Sequence, residues 1–367
     1  MNFITSDPGL SLEAGYLLDL TRAWAPSDDT LPAPPPDLNW GQLVEEAVKQ
    51  KLLPWVCGIF VLAPPSSLPR RLSHLMADIL ALNRHRNGVK LARTQELQAS
   101  LGDIGLSVAA RKGALFDEEL YGGGLRTYGD IDLYIKAQDI PLAIRTFEVH
   151  GWKQGTFDRL NRRVKDLPRE EVVLTRVRPD HLPRLVLEET TPLVGATELD
   201  ICFDFLWYGS EFQTSGRAIL DEAMTTIELR TACGLMAFDP AYNLIDAMLH
   251  LFREAYFERS ILQGHDVSLS KFLDVRLLWL SLSPPQRERF DHLVQRFGLW
   301  APIAWVAAHT DAVLGTFIAT ATRLGPGDAM GLPSYRTSQG HDGIWRGSMI
   351  SRIFASDRLA LFEGLSR

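Results

Sequence analysis

Apolar side chains recur at helical spacing from the start of the chain. Leu12, Tyr16, Leu17 and Leu20 fall on one side of a helix over 11–24, with Ser11 placed to cap it. Pro32, Pro34, Pro35 and Pro36 then mark 25–38 as an extended linker or wrapped arm. A helix is predicted over 40–50, and Pro54 interrupts the pattern before an apolar segment at 55–63. Pro64-Pro65-Ser66-Ser67 is a further break. One long helix follows over 69–101, with Leu72, Leu75, Met76, Ile79, Leu80, Leu82, Val89, Leu91 and Leu97 as its apolar positions and Gly88 as a point of kinking or splitting.

From residue 105 the period changes. Strands are predicted at 106–111, 130–136, 152–157, 171–178, 184–189 and 197–205, with a short helix at 114–120 and a longer one at 139–149. Asp139 and Pro141 mark the start of the longer helix, as cap and early helical residue. After Asp239-Pro240 the helical period returns over 241–258, 268–282, 284–297 and 300–322. Residues 325–343 lack periodicity and read as a mobile loop. The tail, 344–365, is expected to dock as a short helix through Ile350, Phe354, Leu359 and Phe362. The expected fold is therefore α+β: a helical region with a proline-rich linker (1–104), a core with a small mixed sheet (105–238) and a second helical region (239–367).

The strand at 130–136 carries chemistry. Residues two apart on a strand share a face, so Asp130 and Asp132 aim at one spot while Ile131, Leu133 and Ile135 face a core. Two converging carboxylates repel unless a cation lies between them, and hard oxygen donors suit Mg²⁺ or Mn²⁺. The strand before them ends in Lys112-Gly113, where a backbone without a Cβ can approach a phosphate closely. A cationic turn facing a metal-binding carboxylate pair is what a nucleoside triphosphate, ATP included, requires with its metal.

At these residues the chain resembles the nucleotidyltransferase superfamily typified by DNA polymerase beta, and more closely a bacterial family called uncharacterised nucleotidyltransferases. Lys112-Gly113, Arg126 and Gly129-Asp130-Ile131-Asp132-Leu133 carry the likeness, which extends in order over roughly 39–279. The resemblance implies a polymerase-beta-like core and a third carboxylate on a later strand, which Asp200 supplies between Leu199 and Ile201. Asp204 is its rival. Family members usually carry His two residues after this Asp; Cys202 stands there instead. It further implies that Asp130, Asp132 and Asp200 hold two divalent ions, and that Asp200 orients or deprotonates an acceptor hydroxyl. Lys112, Gly113, Arg126 and Thr127 would bind the nucleotide, with Arg126 instead open to an ion pair with Asp130. Gly122-Gly123-Gly124 is a phosphate-contacting loop or a hinge. His250, with Lys271 and Asp274 on the next helix, is a substrate contact or a core residue.

Composition narrows the function. The net charge of −7 argues against a general nucleic-acid binder. Arg159, Arg162, Arg163, Lys165, Arg169, Arg176, Arg178 and Arg184 nonetheless form a basic segment, which reads as a solvated hairpin face or a phosphate contact. A small-molecule or peptide acceptor is therefore favoured over a tRNA acceptor of the toxin-like kind, and a non-catalytic nucleotide-binding relative is the rival class. Cys57, Cys202 and Cys233 have neither metal-ligand spacing nor the numbers of a disulfide framework, which favours a reducing, cytoplasmic setting. No apolar run reaches the length of about 18 residues that a membrane span needs. No Gly-x-Ser-x-Gly elbow or Walker-type loop is present. The sequence leaves the oligomeric state open.

Overall fold

Alternation of apolar side chains after residue 107 builds a mixed sheet. The computed structural model describes residues 9–24, 31–158, 160–170, 172–173, 181–207, 210, 212, 215–230, 234–322 and 334–365. The chain divides into two compact units, Met1–Asp78 with Leu244–Arg367 and Ile79–Asn243.

In the helical unit, α1 (Leu12–Ala23) starts where Ser11 Oγ accepts from the Ala14 N–H at 3.1 Å. It is followed by α2 (Trp40–Lys49) and α3 (Leu53–Leu62). Pro54 stands in the first turn of α3, where its missing N–H has no helical acceptor to lose, so it begins a helix. The next helix, α4 (Arg70–Asp103), runs unbroken through Gly88.

The sheet unit contains β1 (Val108–Arg111), α5 (Gly113–Tyr121), β2 (Asp130–Ile135), α6 (Ile140–Val149), β3 (Lys153–Gln154), the hairpin β4 (Thr156–Asp158) and β5 (Arg163–Lys165), β6 (Leu185–Glu188) and β7 (Ala196–Cys202). Then come α7 (Gly216–Met224), β8 (Glu228–Arg230) and β9 (Leu235–Ala237). The seven-stranded sheet has the order β3-β6-β7-β2-β1-β9-β8. β2 runs parallel to β7 and β1 parallel to β9, and the other pairings are antiparallel. This is the α+β architecture expected from the alternation.

Three details differ from the periodicity. Residues 172–173 are helical where a strand was expected over 171–178; the remainder of that stretch lies outside the described residues. Asp139 precedes α6 but makes no side-chain capping bond, and Pro141 in the first turn sets the helix start instead. The strands β8 and β9 and the helix α7 carry too few alternating positions to stand out in the sequence.

The larger surprise is α4. Its buried positions within the sheet unit include Asn87, Lys90, Thr94 and Gln98 beside Leu80, Leu97 and Leu101. Most of their polar atoms are bonded within the unit, while Asn87 Oδ1 is buried without a hydrogen-bond partner among the described residues. Gln98 pairs its amide with the Met236 backbone on β9, donating at 2.7 Å and accepting at 3.0 Å. Arg93 holds Glu189 with a two-pronged contact at 2.9 Å.

The helical unit resumes along α8 (Pro240–Tyr256), then α9 (Glu258–Leu262), α10 (Leu269–Ser281), α11 (Pro284–Arg296) and α12 (Trp300–Leu314). The predicted helix over 300–322 stops at Gly315, whose φ of 64° terminates α12 in a left-handed cap, and a short α13 (Ile318–Ala321) follows. Part of the expected loop is ordered as the hairpin β10 (Ser334–Arg336) and β11 (Asp342–Ile344). The tail helix α14 (Met349–Phe354) docks through Met349, Arg352 and Ile353 rather than Ile350 and Phe354. Arg352 is fully buried against the Trp345 and Phe362 rings and ion-paired to Asp266. A buried arginine is invisible to a reading of apolar periodicity.

Candidate active site

The site is built on one face of three neighbouring strands. Asp130, Asp132 and Tyr134 on β2 stand level with Glu198, Asp200 and Cys202 on the parallel β7. Arg111, the last residue of β1, stands level with Asp132 from the other side. Residues level on adjacent strands share a face, so Arg111, Asp132 and Asp200 form a row across the sheet. The opposite face carries Ile131, Leu133, Ile135, Leu199 and Ile201, all at most 2% exposed.

Lys112 and Gly113 close the site at the end of β1. Lys112 adopts φ 42°, ψ −118°, a conformation costly for a residue with a Cβ. It turns the chain into α5 and leaves its ammonium 4.0 Å from Asp132. A Cβ on Gly113 would stand 3.3 Å from the Asp130 carbonyl and from the Tyr128 ring, and 3.7 Å from the Asp132 carboxylate. The first turn of α5 therefore begins against the carboxylates, its N–H groups unclaimed by the helix as in anion-binding helix starts.

Asp132 is the electrostatic centre. Burial pushes its carboxyl up to about 7; Asp130 and Asp200 add to the rise, and Lys112 and Arg111 oppose it. Because the folded value lies above the unfolded one, the folded state binds more protons between about pH 4 and 7. Metal-free protein is thus expected to lose stability as pH rises through that window, with a slope on the order of 1 kcal/mol per pH unit. Urea denaturation in chelator across pH measures this, and Asp132→Asn should flatten the slope.

The glycine-rich connection is a fixed turn. Gly122, Gly123 and Gly124 have φ of 75°, 84° and 79°. The buried Asp117 carboxylate accepts from the Gly124 N–H at 2.7 Å, from the Arg126 N–H at 2.8 Å and from the Asn87 amide at 2.9 Å. Asn83 and Asn87 donate to the Arg126 carbonyl at 3.2 and 2.9 Å, and Lys90 donates to the Tyr128 carbonyl. The buried polar stripe of α4 thus fixes the backbone that leads to Asp130. A Cβ on Gly124 would stand 2.1 Å from Arg84 Cγ and 3.2 Å from its Cα. Gly124→Ala is expected to destabilise the protein by about 2 kcal/mol, measured by thermal unfolding.

Of the predicted residues, Asp130, Asp132, Asp200, Lys112 and Gly113 gather at one end of this strand row. Arg126 has its backbone in the Asp117 turn and its guanidinium 5.4 Å from the Phe116 ring centre; Thr127 is exposed beside it. Asp204 is drawn into the turn after β7, where it accepts from the Leu206 N–H at 2.9 Å. His250 belongs to the helical unit, with Nε2 3.1 Å from Glu254. The same carboxylate takes Lys271 at 2.8 Å, and Lys271 also donates to the His265 and Asp266 carbonyls, tying down the chain before α10. Asp274 is buried in that unit.

In the basic segment, Lys165 pairs with Asp158 and Arg184 with Glu198 at 3.0 Å; Arg159, Arg176 and Arg178 lie outside the described residues, as does Cys233. Sequence reasoning passed over Arg111, Asp117 and Glu198. Only the last had a readable signal, its position two residues before Asp200.

The donors are all carboxylate oxygens, the chemistry Mg²⁺ and Mn²⁺ prefer, and their mutual repulsion at Asp132 is what a cation would relieve. Among the described residues no three His, Cys, Asp or Glu side chains are gathered closely enough to enclose a metal by themselves. This suits Mg²⁺, which keeps several waters and is usually held by one or two carboxylates together with substrate phosphates.

No helix among the described residues is long and apolar enough to cross a membrane. A comparison with curated proteins gives no match. The family model described as uncharacterised nucleotidyltransferase matches residues 36–315, more than half of the chain, and takes in the whole strand row and its cationic turn. The chain belongs to the uncharacterised nucleotidyltransferase family, whose name implies transfer of a nucleotide.

Proposed function

We propose that the protein moves a nucleoside monophosphate from a nucleoside triphosphate to a hydroxyl acceptor, with Mg²⁺ or Mn²⁺ held by Asp130, Asp132 and Asp200. The observation that carries this reading is the level placement of Asp132 and Asp200 on parallel strands, beside Asp130 and the Lys112-Gly113 turn. Divalent ions bound there would neutralise charge developing on the transferred phosphorus and the leaving pyrophosphate. Lys112 and the first amides of α5 hold the outer phosphates. Arg126 and Thr127, set by the Asp117 turn, contribute from the loop. Asp200 accepts the proton of the acceptor hydroxyl. The free thiols Cys57 and Cys202 fit a reducing, cytoplasmic setting.

A small molecule or peptide is the favoured acceptor, since Lys165 and Arg184 of the basic segment are already paired with carboxylates. Incubation with labelled triphosphates, Mg²⁺ and pools of metabolites, peptides and tRNA tests both points. Label on a small molecule or peptide supports the reading. Label on tRNA, with binding that weakens steeply in salt, would move the acceptor to RNA. Triphosphate binding by calorimetry without metal dependence or turnover would favour a non-catalytic nucleotide binder.

A further inference from the structure

We infer that Arg111 is a built-in counter-cation of the carboxylate row, a positioning residue that keeps nucleotide-free metal binding weak and so couples metal entry to the triphosphate. The inference rests on the carboxylates being the metal site. Arg111 is buried, 7% exposed, at the end of β1 and level with Asp132. Its guanidinium does not lie loose among the carboxylates. It is 4.4 Å from the centre of the Tyr134 ring, and its Nη1 donates to Cys202 Sγ at 2.8 Å. Both partners belong to the same face, one step along β2 and β7 from Asp132 and Asp200. Tyr134 is itself held, stacked on Phe205 at 4.9 Å and packed on Phe238 at 5.5 Å. A desolvated cation is attracted to the face of an aromatic ring, and this contact with the Cys202 bond holds the fork in place.

The charge balance follows. Asp130, Asp132 and Asp200 face two fixed cations, Lys112 and Arg111, both of which act on Asp132. The row is left with little net negative charge to attract a bare divalent ion. A triphosphate adds several negative charges at the Lys112-Gly113 end and restores the attraction. Arg111 is thus the reason for metal and nucleotide to arrive together. A purely structural arginine predicts the opposite response to its removal, because disordered carboxylates bind metal less well.

The test is Mn²⁺ binding by electron paramagnetic resonance at pH 8, without nucleotide and without turnover. Arg111→Gln should bind Mn²⁺ about tenfold more tightly than the unaltered protein. Arg111→Lys, which keeps the charge, should stay within about twofold of it. Asp132→Ala should abolish binding in either background. Unchanged or weaker binding in Arg111→Gln, with Asp132→Ala still abolishing it, would overturn the role of Arg111 and leave the metal site standing. Binding insensitive to Asp132→Ala would overturn the site itself. Should Arg111→Gln not fold, the unaltered protein decides: a non-hydrolysable triphosphate is expected to tighten Mn²⁺ by at least about 30-fold, and a ratio near one contradicts the inference.

Discussion

Asp132→Asn is expected to abolish nucleotidyl transfer, lowering kcat by about 10³-fold or more, while raising the metal-free melting temperature at pH 8. The two halves have one cause. Asp132 is nearly enclosed, beside two other carboxylates, and its ordinary ionised form is disfavoured there up to about pH 7. Above that pH the metal-free fold carries a charge it would rather not hold, at a cost on the order of 4 kcal/mol. Asparagine keeps the shape and removes the charge, so the fold gains what catalysis loses. A merely structural carboxylate, stabilised by its partners, would melt lower when neutralised. Asp130→Ala and Asp200→Ala should also lose transfer, by about 10²-fold or more. Thermal melts in chelator and single-turnover assays with Mg²⁺ make the comparison. Full activity in Asp132→Asn, or a lower melting temperature at pH 8, would contradict the assignment.

Asp117→Ala is expected to cost about 3 kcal/mol of stability and to raise the KM for the triphosphate by tenfold or more. The buried carboxylate accepts from two backbone N–H groups and from the Asn87 amide, and alanine would leave all three donors without it. Bonds to an ionised acceptor contribute about 1.5–3 kcal/mol each, and partial relaxation of the turn offsets part of the sum. The turn carries Arg126 and leads into Asp130, so its loosening reaches the site through the backbone. Asp117→Asn keeps one acceptor oxygen and should fall between the two. Urea unfolding with triphosphate kinetics measures both effects. Asp117→Ala with unaltered stability and KM would show that the glycine turn is held by other means.

The strand that carries Asp130 and Asp132 was legible because it obeys a simple rule. In Asp130-Ile131-Asp132-Leu133 the polar and apolar residues alternate, and the two faces of β2 separate accordingly. Asp200 was legible for the same reason, flanked by Leu199 and Ile201. The supports of the site were not legible, because their partners lie far along the chain. Asn87, Lys90 and Gln98 are polar residues on the inner side of a helix, and periodicity places such residues outside. Their burial is explained by the Asp117 carboxylate and by backbone groups of the glycine turn and of β9, which no local pattern announces. Arg111 looked like the polar end of a strand, yet it is buried by a sulfur and a ring that sequence separates from it by 91 and 23 positions. The strands β8 and β9 are three residues each, too short to show a period. Gly315 ended a helix whose apolar spacing continued past it, because a left-handed cap overrides the pattern.

The most direct measurement is a crystal structure with Mn²⁺ and a non-hydrolysable triphosphate, using anomalous scattering to locate the metal. The account predicts a manganese peak about 2.0–2.3 Å from carboxylate oxygens of Asp130 and Asp132, with the triphosphate at Lys112-Gly113 and Asp200 facing the same ion or a second one. Manganese bound elsewhere, or a triphosphate seated away from the Lys112-Gly113 turn, would contradict it.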